Sequence, residues 1–188
     1  ALVLQQRETA RASRKNAGAD AWAGDSDVLD DIAKTEFVGY TDMKATAKVT
    51  AIVKDGARVE AAETGDDIVF TLDRTSFYAE SGGQVGDTGV ITNDSCTIRV
   101  LDTTKNAAGV FIHKAVVEEG FLREGDTVEA VVDVERRRAI MRNHTAAHLL
   151  QAALRSVLGD HVEQAGQLVN ENAVRFDFTH FSALTDEE

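Results

Sequence analysis

From Phe37 to Val134 the chain alternates apolar and polar positions in short runs: Ala45–Val53, Arg58–Ala62, Asp67–Leu72, Gly89–Ile91, Cys96–Leu101, Val110–Val117 and Thr127–Val134. Turn residues separate the runs at Asp55-Gly56, Thr64-Gly65-Asp66, Gly86-Asp87, Asn93-Asp94 and Glu124-Gly125-Asp126. A period of two sends alternate side chains to opposite faces, and many short strands at such spacing close into a barrel or pack as a sandwich. The period then lengthens. Ile140, Ala147, Leu150, Leu154 and Val157/Leu158 recur at helical spacing, which predicts a helix over about residues 135–158 with one buried stripe, stopped at Gly159. Gly166–Val169 and Ala173–Phe178 return to a strand pattern that puts Phe176, Phe178 and His180 on one face. Ahead of the β region, residues 1–15 read as a short helix and residues 16–31 as a Gly-, Ala- and Asp-rich linker, with Asp27 able to cap a short helix through Lys34. An α+β chain in three parts is expected: a helix and linker (1–36), a small antiparallel β-barrel (37–134), and a truncated α/β domain around a central helix (135–188).

Composition alters this picture only at a few points. A hydrophobic content of 43% in 188 residues is enough for a real core. No apolar run approaches the roughly 18 residues of a membrane span, and the N-terminus lacks a secretory pattern. The first residue is Ala rather than Met and helical pattern follows at once, so an excised piece is expected. The single Cys96 cannot form an intrachain disulfide, which points to the cytoplasm, and its alternating surroundings mark it as a small core residue. A net charge of −12 argues against a surface that coats nucleic acid generally. Two local basic groups remain, Arg7/Arg11/Arg14/Lys15 and Arg136/Arg137/Arg138/Arg142, each readable as a solvated helix face or as a phosphate-contacting patch. Nothing in the sequence sets an oligomeric state.

The candidate chemistry lies in two stretches. His144 and His148, four apart on the predicted helix, project from one face one turn apart. One helix offers two imidazoles to a divalent metal in this way, though a packed or hydrogen-bonded pair has the same spacing. The second stretch, Phe77 to Gly89, carries four glycines in eight residues and lets backbone N–H groups approach a polar chain closely. It lacks the ending of a nucleotide-binding P-loop, so a series of tight β-turns is the plain alternative. His113 sits in a strand pattern and reads as structural, and His161 at the helix end could complement the helix dipole.

Taken in order, FYAESGGQVGDTG, a β region, RNHTAAHLLQAALRSVLG, HVEQAGQLV and RFDFTH resemble alanyl-tRNA synthetase, over nearly the whole chain and most closely from Phe77 to His180. The matching portion is that family's editing domain, preceded by the end of its tRNA-recognition domain. The resemblance implies hydrolysis of tRNA mischarged with serine or glycine, needed because a pocket cannot exclude a smaller amino acid and rejects one added hydroxyl only weakly. It implies zinc held by His144 and His148, with a Cys and a His from a downstream C-x3-H segment that this sequence does not contain. ATP and magnesium belong to a catalytic domain that is not in this sequence. It also implies tRNA as partner, bound by its aminoacylated 3′ end. Gln164 matches a pocket glutamine and Thr145 the first Thr of the family's His-Thr-Ala-Thr-His, both catalytic candidates. Ser81, Gly82, Gly83 and Gln84 match a glycine-rich motif facing the site, and Arg142 suits a phosphate contact. Ala147 replaces the second Thr and removes a hydroxyl from the helix face beside the site. With two of four ligands, weak metal binding and no activity in isolation are expected. Two other functions fit the residues: a free-standing alanyl-tRNA deacylase, disfavoured by the leading helix and linker, and a non-catalytic RNA-binding barrel.

Overall fold

A computed structural model of the chain describes residues 27–187. The expected helix at 1–15 and nearly all of the linker lie outside the described residues. Asp27 opens only a 3-10 turn, Asp27–Leu29, rather than a helix reaching Lys34. One turn is enough to drop Leu29 onto Ala51, Val53 and Val69, and Lys34 and Thr35 belong to no helix.

The strands among the described residues are β1 (Glu36–Phe37), β2 (Lys44–Lys54), β3 (Ala57–Val59), β4 (Ala61–Glu63), β5 (Asp67–Leu72), β6 (Arg74–Thr75), β7 (Gly89–Asn93), β8 (Cys96–Lys105), β9 (Phe111–Arg123) and β10 (Thr127–Val132). Helix α1 (Val134–Leu158) and the hairpin of β11 (Gln164–Val169) and β12 (Val174–Phe178) follow. Strands β10-β7-β8-β9-β5-β2 pair antiparallel in that order. Pairing of β10 back onto β2, Val128 opposite Ala47, closes them into a six-stranded barrel. The remaining short strands are accessory: β3 folds back on β2, β4 lies against β9, and β1 runs parallel to β6. Alternation along β2, with Ala45, Ala47 and Val49 buried, is the period read from the sequence; a bulge between Val49 and Ala51 then turns Ile52 into the barrel core and leaves Ala51 and Val53 against Leu29. The expected strand at Arg58–Ala62 is split into β3 and β4, while β8 and β9 run longer than their apolar runs because barrel pairing carries polar residues along with it.

The barrel interior is filled by Phe70, Phe77, Leu72, Ile52, Ile68, Ile91, Ile98, Leu122 and smaller residues, Cys96 among them. Burial raises the Cys96 thiol above its ordinary range, in keeping with a packing role. His113 is fully buried, stacked on Phe70 with ring centroids 5.2 Å apart. Its Nδ1 faces the Phe70 carbonyl at 3.4 Å and its Nε2 the Thr75 hydroxyl at 2.9 Å, the pattern of a neutral ring that donates from Nδ1 and accepts at Nε2. Burial lowers its pKa to about 4. The unfolded ring takes up its proton near pH 6.5, so the folded state loses about 1.4 kcal/mol per pH unit as pH falls from 6.5 toward 4. Urea midpoints recorded down that range should fall in the native protein and fall less in His113→Phe; equal slopes would remove His113 as the cause.

Candidate functional site

Helix α1 starts where Asp133 accepts a hydrogen bond from the Arg136 amide at 3.0 Å and stops at Gly159, whose N–H returns to the Arg155 carbonyl at 3.0 Å. Its inward stripe is Arg137, Ile140, His144, Ala147, Gln151, Leu154 and Leu158, steps of three and four that keep one face toward the protein. The phase differs from the expected one. Leu150 and Val157 are exposed, and Arg137, His144 and Gln151 take inward places. Polar residues take those places because each finds a partner in the facing segments: Arg137 in Asp87 and the Gly39 and Ser76 carbonyls, Gln151 in the Val162 carbonyl at 3.5 Å, and His144 in the Gln84 side chain of a facing loop.

That loop is the glycine-rich stretch. Gly82 and Gly83, both at positive φ (59° and 86°), turn the chain so that Ser81 and Gln84 exchange two backbone hydrogen bonds of 3.1 and 3.0 Å, a two-residue hairpin turn. The loop then runs alongside β11. Val169 N donates to Gly83 O at 2.8 Å, Val85 N donates to Val169 O at 3.1 Å, and the Gln167 amide reaches Gly82 O at 2.6 Å. A Cβ on Gly83 would sit 2.4 Å from the Gln167 carbonyl oxygen, so only glycine allows this approach.

Gly86-Asp87, read from sequence as a turn, is instead the anchor of the helix. Asp87 is 1% exposed, accepts the Tyr78 amide at 2.6 Å, and pairs with Arg137. The Arg137 guanidinium, itself buried, donates through Nε to Asp87 at 2.7 Å and to the carbonyls of Gly39 and Ser76 at 2.9 and 2.7 Å. Arg137 is therefore withdrawn from the expected phosphate patch. Arg136 is half-buried, bonded to the Gly86 carbonyl at 2.8 Å and paired with Glu171, while Arg138 stays exposed beside Glu135. Arg142 is exposed and makes no ion pair among the described residues. A further tie escaped the sequence reading: Asn143 donates to the Asn170 carbonyl at 2.7 Å, fixing mid-helix to the end of β11.

The two marked stretches meet at one hydrogen bond. Gln84, 6% exposed, points its carbonyl at His144 Nδ1, 2.5 Å away. A carbonyl accepts only, so in this arrangement Nδ1 is the donor and Nε2 is the ring nitrogen left for a further partner. Metal-binding imidazoles are commonly oriented this way by a second partner. His148 lies one turn on, its ring centroid 5.0 Å from that of His144, and is exposed. Substituting Gln84→Leu should release the ring and shift it toward the Nε2–H tautomer, read from the 15N shifts of the two ring nitrogens. An unchanged Nδ1–H form would show that Gln84 does not set it.

The other candidates are more dispersed. Ser81 is exposed at the hairpin turn. Gln164 is the exposed first residue of β11, opposite Phe178. Thr145 is exposed and its hydroxyl donates to the Met141 carbonyl at 3.0 Å, leaving only acceptor capacity. His161 bonds His180 at 3.0 Å and stacks on Phe181, which accounts for both rings by mutual contact. No three His, Cys, Asp or Glu side chains cluster with metal-binding spacing among the described residues. His144 and His148 offer two neighbouring imidazoles, and a tetrahedral metal site would need at least one more protein ligand. No helix among the described residues is long and apolar enough to cross a membrane.

Residues 1–136 match the family model of the class II tRNA synthetases (A), up to the first turn of α1. The alanine–tRNA ligase of Acetivibrio thermocellus is 50% identical over 187 residues, 99% of this chain and 21% of the relative. That of Thermoanaerobacter pseudethanolicus is 50% identical over 185 residues, 98% of this chain and 21% of the relative. That of Bacillus subtilis is 44% identical over 184 residues, again 98% and 21%. The chain thus spans about a fifth of the length of the curated relatives it matches.

Proposed function

The chain belongs to the alanine–tRNA ligase family of class II tRNA synthetases, and from that premise we propose that it is the part of such a ligase that proofreads, hydrolysing the ester between a wrong amino acid and the 3′ end of tRNA. The observation that carries this reading is the hydrogen bond from His144 to Gln84, which joins the paired histidines to the glycine hairpin in one place. Water adds to the ester carbonyl, the bond to the ribose oxygen breaks, that oxygen takes one of the water's protons to become the free hydroxyl, and the amino acid leaves as a carboxylate with the second proton released to solvent. Zinc bound at His144 Nε2 and His148, with ligands from a further segment, would place the 3′ end and polarise the ester.

The residues of this chain do the holding and orienting. Gln84 presents His144. The Gly82-Gly83 turn, with Gly82 exposed, leads directly into Gln84 and would offer its backbone to a terminal adenosine. Gln164 offers an amide that can bond a serine hydroxyl or the ester oxygen, and Thr145 an acceptor oxygen on the helix. Arg142, exposed and without an ion pair among the described residues, supplies positive charge for a phosphate. The sole cysteine is in the barrel core, so a C-x3-H ligand pair of the family's kind is not in these 188 residues.

Hydrolysis of seryl-tRNA should therefore stay at background with these 188 residues and appear when a segment carrying a Cys and a His ligand is added downstream. Replacing His144 and His148 by Ala in the extended protein should abolish it. Turnover by the 188 residues alone would overturn the half-site, and an extended, zinc-loaded protein that leaves seryl-tRNA intact would overturn the proofreading reading.

A further inference from the structure

On the barrel side of the helix anchor, the end of β1, the loop that follows it and the start of β9 bring together an aromatic group that the hydrolytic site does not use. Phe37 and Phe111 stack with centroids 5.3 Å apart and planes 9° from parallel. Tyr40 packs edge-on against Phe37 at 4.9 Å, yet 86% of it is exposed. These rings line an open cavity of about 700 Å³ with Lys34, Lys105 and Asn106. The Lys105 ammonium stands 5.4 Å from the Phe111 ring, and the Lys34 stem lies over Gly109. Neither lysine forms an ion pair among the described residues, and the one carboxylate lining the cavity, Glu36, is held by Arg74 at 2.7 Å. In a chain of net charge −12, two uncommitted ammonium groups beside an exposed aromatic are a local exception.

A core explains Phe37 and Phe111 but not Tyr40, which packs little of itself. The loop that holds it is also fixed. Gly39 gives its carbonyl to Arg137, and a Cβ there would meet Ser76 O at 2.2 Å. Phe37 further touches Tyr78, ring centroids 6.2 Å apart, at the start of the glycine-rich loop. The rings therefore sit on the same rigid framework as the histidine pair. Exposed aromatic faces with flanking lysines are how proteins hold unpaired nucleotides, the base on the ring and the phosphate on the ammonium.

We propose that Tyr40, backed by Phe37 and Phe111 and flanked by Lys34 and Lys105, forms a stacking site for an unpaired nucleotide of the tRNA, separate from the site that holds its 3′ end. This rests on tRNA being the partner, as argued above. The test uses the 188-residue protein with two probes, fluorescein-labelled single-stranded hexa-adenylate and a full-length tRNA transcript specific for alanine, with binding read by anisotropy and mapped by 15N-resolved NMR.

Tyr40→Ala should weaken binding of both probes roughly ten-fold, and Tyr40→Phe should restore it, because stacking needs only the ring. Lys105→Glu should reduce the slope of log affinity against log salt by about 0.7 for the single strand, one phosphate contact. Tyr40 is exposed, so the melting temperature should hold in each Tyr40 variant. If the tRNA binds unchanged in Tyr40→Ala and shifts only resonances near Arg142, His144 and His148, the stacking site is overturned and the proofreading reading stands. If the native protein binds neither probe, the stacking site is overturned, and the seryl-tRNA assay of the extended protein still decides the proofreading reading. Self-association that depends on Tyr40 would assign the ring to a protein contact and overturn the site.

Discussion

Replacing Arg137 by alanine is expected to destabilise the protein by about 3–5 kcal/mol, the cost of leaving a buried carboxylate without its partner. Asp87 sits at 1% exposure and cannot regain water, and the Gly39 and Ser76 carbonyls lose their donor at the same time. The measurement is equilibrium urea unfolding, with helix α1 followed separately by amide exchange. Helical amides from Ile140 onward should lose protection before those of the barrel, because Arg137 is the buried link from the helix to the Gly39 and Ser76 carbonyls. Replacing the pair together by apolar residues of similar size, Arg137→Met with Asp87→Leu, should recover much of the loss, since the penalty belongs to the orphaned charge. A single Arg137→Ala variant as stable as the native protein would remove the anchor from the account.

The second large effect is expected at Gly83. Alanine there meets two obstacles: a φ of 86°, which costs an L-residue about 1–3 kcal/mol, and a backbone oxygen 2.4 Å from the new methyl. The loop must withdraw from β11, so the Val85 and Val169 amides should exchange rapidly and His144 should lose Gln84. Gly82→Ala is the internal control. Its φ is 59° and nothing lies within 4 Å of the added carbon, so only the modest left-handed penalty applies, about 1–2 kcal/mol. Equal effects at the two positions would mean that conformation alone, and not the close approach to Gln167, requires glycine at 83.

The barrel was legible because its signal is local. A period of two in β2 and glycine at Gly56, Gly65 and Gly125, all at positive φ, mark strands and turns without knowledge of their partners. The paired histidines were legible for the same reason, being one turn apart on a periodic helix. What joins the parts was not. The partner of Arg137 is fifty positions away and that of His144 is sixty, and no window of sequence contains either pair. One hint was present: Arg137 lies three before Ile140 and seven before His144, which places it on the inward stripe. The apolar count outweighed it and set the stripe toward Leu150 and Val157, which the structure leaves exposed. Asp87 was misread because Gly-Asp is a common turn pair, and burial of the aspartate depends wholly on a guanidinium delivered from another element.

The join of β10 to β2 has a kinetic consequence. It pairs residues 44–48 with residues 127–131, so the first long strand of the cylinder waits for the last before its edge is covered. Such distant pairing is slow to form, on the order of milliseconds to seconds. During synthesis, β2 and β7 each present an open row of amides until Thr127–Val132 has left the ribosome, and a product ending before Thr127 would keep both edges and be prone to aggregate.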